Sequence, residues 1–239
     1  MKCDLCPRKC LVDRKKGEKG ICGQTENLKV ARAALHFWEE PCISGDAGSG
    51  AVFFSGCPLH CVFCQNENIA NGTVGKEISL ERLVDIFLEL QEKRANNINL
   101  VTPGHFVPQI VKALDQARKE GLTLPVVYNT SSYETVDTIK MLEGYVDIYL
   151  PDFKYMSPVL SKKYSHAPDY AEVAKAAIAE MVRQTGKAVF VNGDEDNLIL
   201  SGTIVRHLTL PGCMADSMQI LKYLHDTYGD CLLYTSDAA

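Results

Sequence analysis

From residue 51 onward the chain alternates short apolar runs with amphipathic stretches, and that rhythm limits the possible fold more than any single motif. AVFFS (51–55), NINLV (97–101), LPVVYN (124–129), VDIYL (146–150) and TIVRHLTL (203–210) read as buried strands. Between them, SLERLVDIFLELQEKRA (79–95) places Leu80, Leu83, Val84, Phe87 and Leu90 at helical spacing. PQIVKALDQARKEG (108–121), ETVDTIKMLEG (134–144), DYAEVAKAAIAEMVRQTG (169–186) and SMQILKYLHDTY (217–228) also read as helices, and a hairpin is expected near 187–200. Strands alternating with helices imply right-handed βαβ units on a parallel sheet. Chemistry in such folds gathers at the carboxyl ends of the strands. GCPLHC, TPGH, NTSSYE, PDFKY and PGC all fall there. Each alone is a reasonable βα-turn, since Gly, Pro, Asn and Ser populate turns; together at one rim they favour a site.

Three cysteines, Cys57, Cys61 and Cys64, lie in the first of these rim segments with spacing C-x3-C-x2-C. Thiolates are soft ligands that suit zinc or iron–sulfur clusters. A structural zinc normally takes four ligands, and His60, adjacent to Cys61, is poorly placed to be the fourth. A 4Fe-4S cubane held by three cysteines keeps one iron open, which is a chemical reason to stop at three.

A second group, Cys3, Cys6, Cys10 and Cys22, follows C-x2-C-x3-C-x11-C in a segment with little periodicity. Four thiolates there suit structural zinc first, an auxiliary iron–sulfur cluster second and free thiols third. A nucleic-acid-binding zinc module fits less well, because the segment lacks aromatics, and Lys15, Lys16 and Lys19 read as a solvated turn. Cys42 and Cys213 are expected to be buried or near the rim, without an assigned role. The chain divides into a Cys-rich segment and lead-in (1–50), read as loops followed by the irregular HFWEEPCISGDAGSG, then a barrel (51–230), then a short tail (231–239). The tail, CLLYTSDAA, looks like translated sequencing adapter rather than native protein, with no closing element. A truncated C-terminus is therefore expected, and with it a barrel that lacks its last strand and could be unstable.

Composition excludes several classes. A chain of 239 residues, 46% hydrophobic and 23% charged, can bury one sizeable core. A net charge of -5 marks neither a nucleic-acid nor a membrane surface. No apolar run approaches the roughly 20 residues that span a bilayer. Ten cysteines without an export signal indicate metal binding in a reducing cytoplasm rather than a disulfide framework.

With Phe63 between the last two cysteines, the segment Cys57-Pro-Leu-His-Cys61-Val-Phe63-Cys64 resembles the signature of radical S-adenosylmethionine (SAM) enzymes. CDLCPRKC, HFWEEPCISGDAGSG, FFSGCPLHCVFCQN, NINLVTPGHFVPQI, YNTSSYE, DIYLPDFKY and IVRHLTLPG resemble, in that order, the pyruvate formate-lyase activating enzyme-like branch, up to about residue 230. The resemblance implies an α/β fold, a partial (β/α)6 TIM-type barrel, with Cys57, Cys61 and Cys64 on a 4Fe-4S cluster. SAM would chelate the open iron and be cleaved reductively to methionine and a 5'-deoxyadenosyl radical, which abstracts hydrogen from a substrate. It also implies Phe63 near the adenine, or simply packed in the core. Thr102, Pro103 and Gly104 stand where the superfamily usually has Gly-Gly-Glu; this chain lacks the glutamate, which leaves backbone carbonyls to receive the SAM ammonium. Asn129, Thr130 and Ser131 would hold the amino-acid or ribose end, or form a capping turn before the helix at 134. Asp152 and Lys154 would meet ribose hydroxyls and carboxylate, or pair with each other. Arg206 would be a further carboxylate partner, and strand alternation turns His207 to the other side. His105 and His166 have no assigned role. The implied partners are a protein or peptide substrate such as a glycyl radical enzyme, and a reductant such as flavodoxin or ferredoxin. The competing class is a non-catalytic zinc-binding structural or interaction module. Convergence of Asn129, Asp152, Lys154 and Arg206 would separate the two, since a structural zinc has no use for it.

Overall fold

The computed structural model describes residues 2–193 and 197–238. After a single 3-10 turn at Arg14–Lys16, β1 (Lys29–His36) runs antiparallel to β2 (Ser49–Phe54), with α1 (Pro41–Ser44) in the connection. α2 (Glu67–Ala70) and the two-residue β3 (Lys76–Glu77) lead into α3 (Leu80–Glu92). β4 (Ile98–Val101), α4 (Val107–Lys119), β5 (Val126–Thr130), α5 (Val136–Lys140) and β6 (Ile148–Pro151) then alternate. α6 (Pro158–Ser165), α7 (Tyr170–Thr185), β7 (Val189–Phe190), β8 (Ile199–Thr209), α8 (Met214–Tyr228) and β9 (Leu233–Ala238) complete the order.

The strands form one mostly parallel sheet in the order β3-β1-β2-β4-β5-β6-β8-β7, with β9 also on β8. Every neighbouring pair from β2 through β4, β5, β6 and β8 to β9 is parallel. The fold is mixed α/β, with the parallel sheet expected of a partial barrel. Parallel strands are covered on both faces, so they read as unbroken apolar runs; β5 is buried at every position. The largest apolar cluster packs α3 and α4 on these strands through Leu83, Phe87, Leu90, Ile110 and Leu114. Each such fully buried side chain contributes about 2 kcal/mol. α3 starts where Ser79 Oγ accepts the Arg82 N–H at 3.2 Å, satisfying one orphan donor of the first turn.

Four expectations need correction. Residues 1–50 are not all loops: 29–36 form an eight-residue strand. KVARAALH buries only Val30, so it shows no in-out alternation to read. Residues 134–144 give a helix of only five residues, capped by Thr135 rather than by Asn129–Ser131, and Gly144 turns the chain at φ 78°. α6 went unread despite Ser157 as its cap and Pro158 in its first turn. Finally, the chain beyond 230 does supply a closing element, because 233–238 pair in parallel with the outer edge of β8, from Ile204 to Thr209. Among the described residues no helix is long and apolar enough to cross a membrane.

Candidate active site

The loop after β2 carries the three cysteines, and local hydrogen bonds shape it around sulfur. The Leu59 N–H points at Cys57 Sγ at 3.4 Å, and the His60 N–H also reaches that sulfur. The Asn66 N–H serves Cys64, and Ser165 Oγ donates to Cys61 Sγ at 3.0 Å. Donors aimed at sulfur favour the thiolate, the form that binds metal. Burial pushes the Cys57 thiol up to about 11 and raises Cys64 as well. His60 turns away at φ 49°, its ring on Asn71 and on the Ile21 carbonyl.

The loop forms one wall of a cavity of about 830 Å³. That volume suits a cofactor-sized ligand. Cys57, Cys61, Cys64, Phe63, Thr102, Asn129, Thr130, Ser131, Asp152, Lys154 and Arg206 all line it. Gly104 does not: a Cβ there would collide with the Glu134 carboxylate, so this glycine packs inward. Phe63 touches Tyr155 and Tyr164 edge-on, with ring centroids 6.3 Å away in each case. Thr102 holds φ 55°, a strained value for a β-branched residue.

Opposite the cysteines the charged side chains converge. Arg206 Nε donates to Asp152 Oδ1 at 3.0 Å, and Nη2 donates to Asn129 Oδ1 at 2.7 Å. Lys154 Nζ donates to Asp152 Oδ2 at 2.6 Å. Burial alone would raise the Asp152 carboxyl, but Lys154 and Arg206 outweigh it and hold Asp152 below its ordinary value. Burial likewise disfavours the Lys154 ammonium, yet Asp152 and the nearby Cys61 keep its pKa raised. His207 also borders the cavity, but its ring is held by the Phe153 carbonyl at 2.7 Å and Ser217 Oγ at 2.8 Å.

Sequence reasoning missed three carboxylates here. Glu39 Oε2 accepts from Asn129 Nδ2 at 3.0 Å and Asn99 Nδ2 at 3.2 Å, and lies 3.5 Å from Arg206 Nη1. Glu40 Oε2 is buried without a hydrogen bond, 4.0 Å from the same guanidinium. Burial raises both carboxyls, against the pull of Arg206. Their signal was HFWEEP, quoted above only as an irregular segment. Glu134, behind Gly104, accepts from Thr130 Oγ1 at 2.8 Å and Tyr128 OH at 3.3 Å on one oxygen while the other has no partner. Burial lifts its pKa to about 7. His105 is buried with Nε2 donating to the Ser55 carbonyl at 2.7 Å, and burial drops its pKa to about 3. The carbonyl of His166 accepts from Arg8 Nη1 at 2.6 Å, a structural contact.

None of the N-terminal cysteines lines the cavity. Among the described residues no three His, Cys, Asp or Glu side chains are close enough to share one metal ion, at either cysteine group. Three thiols spread around a loop, two receiving N–H donors and Cys61 a hydroxyl, and all facing a pocket, fit the corners of an iron–sulfur cluster.

Residues 51–196 match the family model described as the radical SAM superfamily. Over 215 residues the chain is 28% identical to "Uncharacterized protein MJ0674" of Methanocaldococcus jannaschii, covering 87% of this chain and 57% of that protein. The chain thus spans under two thirds of the length of that curated relative. Among solved structures, methylornithine synthase (PylB) is similar with a TM-score of 0.51 at 14% identity, covering 75% of this chain and 50% of that one. That likeness speaks for the fold alone.

Proposed function

The chain belongs to the radical SAM superfamily, and from that premise we propose that it is an enzyme that cleaves SAM reductively to start hydrogen abstraction from a substrate. Membership implies a 4Fe-4S cluster and SAM; when bound, the pair supplies an electron, a carbon–sulfur cleavage and a 5'-deoxyadenosyl radical. Cys57, Cys61 and Cys64 would hold the cluster and leave one iron without a protein ligand. Asp152 would accept hydrogen bonds from ribose hydroxyls, and Lys154 and Arg206 would present cations to a carboxylate. Asn129 and Ser131 edge the same wall and would hold the amino-acid or ribose end, the Thr102 backbone oxygen would receive the ammonium, and Phe63 would lie near the adenine. The observation that carries this reading is the convergence of Asn129, Asp152, Lys154 and Arg206 on one cavity with the three cysteines. A structural zinc module has no need of that rim.

The finer reading is that the enzyme belongs to the pyruvate formate-lyase activating enzyme-like branch and forms a glycyl radical on a partner protein. The ordered motif resemblance supports it. So does Trp38, which lines the cavity yet is 88% exposed, a position from which an indole can grip a polypeptide. The reductant would be a small carrier such as flavodoxin or ferredoxin.

The test is anaerobic reconstitution with iron and sulfide, then electron paramagnetic resonance of the reduced protein with and without SAM. The expected result is a 4Fe-4S signal that changes with SAM and disappears in Cys61→Ala. Uptake of zinc alone, with no SAM-sensitive signal, would overturn the reading.

A further inference from the structure

We infer that Cys3, Cys6, Cys10 and Cys22 form a second metal centre, a closed four-thiolate site that braces the back of the cluster loop. The same local device appears at both cysteine groups. At the cluster loop, the N–H two residues after Cys57 and after Cys64 points back at the sulfur. In the N-terminal lobe the Arg8 N–H does this for Cys6 and the Gln24 N–H for Cys22, and the Ile21 N–H reaches Cys10 Sγ at 3.3 Å. A neutral thiol is a weak acceptor, so three amides turned to sulfur are of use to thiolates. The chain also folds tightly around these cysteines: the Leu11 N–H donates to the Cys3 carbonyl at 2.9 Å, and a Cβ at Gly20 would collide with Cys10 Sγ.

Two independent features point to the same ligand. The lobe has no apolar core, because among the described residues the hydrophobic clusters begin at Leu28. Yet Cys6 and Cys22 are buried in it. A segment without a core gains its order from bound metal. Charge agrees: residues 1–22 hold seven Lys and Arg against three Asp and Glu, although the whole chain carries -5. Four thiolates around a divalent ion, or around an oxidised 4Fe-4S cluster, carry a net double negative charge that this basic lobe offsets.

The lobe lies directly against the cluster loop. A Cβ at Gly56 would collide with the Cys22 carbonyl, His60 Nε2 meets the Ile21 carbonyl at 2.8 Å, and Arg8 Nε donates to the Pro58 carbonyl at 2.9 Å. Metal here would therefore fix the surface on which Gly56 to His60 rest. No three of these thiols are close enough here to share one ion, so binding would draw them together around a thiophilic ligand: one zinc, or one iron–sulfur cluster.

The experiment uses the full chain carrying Cys57→Ser, Cys61→Ser and Cys64→Ser, prepared anaerobically with zinc or with iron and sulfide, followed by metal and sulfide analysis. The expected result is about one zinc, or about four irons with matching sulfide, per chain, reduced at least tenfold by adding Cys10→Ser and Cys22→Ser. A folded triple variant that holds no metal under either loading, with all four N-terminal thiols freely reactive toward a disulfide reagent, would overturn the inference. If the triple variant does not fold, the unaltered chain decides: iron for a single cluster and no zinc overturns it, and a surplus of either metal supports it. Neither outcome depends on SAM, so the radical SAM reading is tested separately.

Discussion

Cys57, Cys61 and Cys64 hang from the carboxyl end of a buried parallel strand, whereas Cys3, Cys6, Cys10 and Cys22 sit in a segment whose only regular element is a 3-10 turn. The first group is positioned by a sheet that would exist without it, and it faces an open cavity. The second is positioned by side chains reaching out of its own lobe. Arg8 donates to the carbonyls of Pro58, Ser165 and His166, and Arg14 donates to those of Thr25 and His105. The difference separates two ways of presenting thiols: on a sheet-held loop that faces a cavity, and in a lobe that arginine side chains clasp to the barrel.

The comparison breaks first at Arg206. Replacing it with Met leaves Glu39 without its cation in the cavity wall and Asp152 with Lys154 alone, which should lower stability by about 3 kcal/mol. Urea unfolding measures the loss, and SAM titration should show weaker binding in the same variant. If unfolding is unchanged, the rim is not part of the frame.

Glu134 marks the seam, since its carboxylate packs on Gly104 and its charge is felt at Cys6. Its carboxyl is raised from 4.5 to about 7 by burial, so between those values the folded chain keeps a proton that the unfolded chain has lost. Its contribution is full below pH 4.5 and declines as pH rises toward 7, by up to about 3 kcal/mol. Glu134→Gln should flatten that part of the stability–pH curve, as followed by thermal unfolding. A slope identical to that of the unaltered chain would place the proton elsewhere.

Arg8→Met opens the clasp without touching a cysteine. Three carbonyl hydrogen bonds and a cation–π contact to Tyr133 at 5.1 Å are lost. About 2 kcal/mol is expected, because part of the side chain is in water. Hydrogen exchange should speed up over residues 2–24 and leave β4 and β5 protected. The smallest effect belongs to Thr102→Gly. Relief of the left-handed backbone should stabilise the chain by up to about 1 kcal/mol, while the backbone oxygen assigned to SAM is kept. Melting temperature should therefore rise with SAM affinity unchanged.

The parallel strands were readable because burial on both faces turns them into apolar runs, as in NINLV and LPVVYN. β1 was not readable, because a strand with one buried residue has no pattern. The same holds for Glu39 and Glu40. A short acidic pair before a proline looks like solvated loop until Arg206, far along the chain, is folded against it. Ser165 illustrates the third limit: its hydrogen bond to Cys61 spans 104 positions, and no local spacing announces it. Asn129, Asp152, Lys154 and Arg206 were found through motif order, which placed them at strand ends before any contact was visible.

Arg206 draws its partners from across the sheet: Asn129 from β5, Asp152 just past β6, and Glu39 from the lead-in to α1. The guanidinium is thus a tie among three chain segments, of which only the one at Asp152 also pairs with it through the backbone. In a mutational survey scored by cellular abundance, this position should be as intolerant as a core leucine. Abundance and activity could not be told apart there, and a homologue that changed its substrate would have to rebuild this wall together with the chemistry it frames.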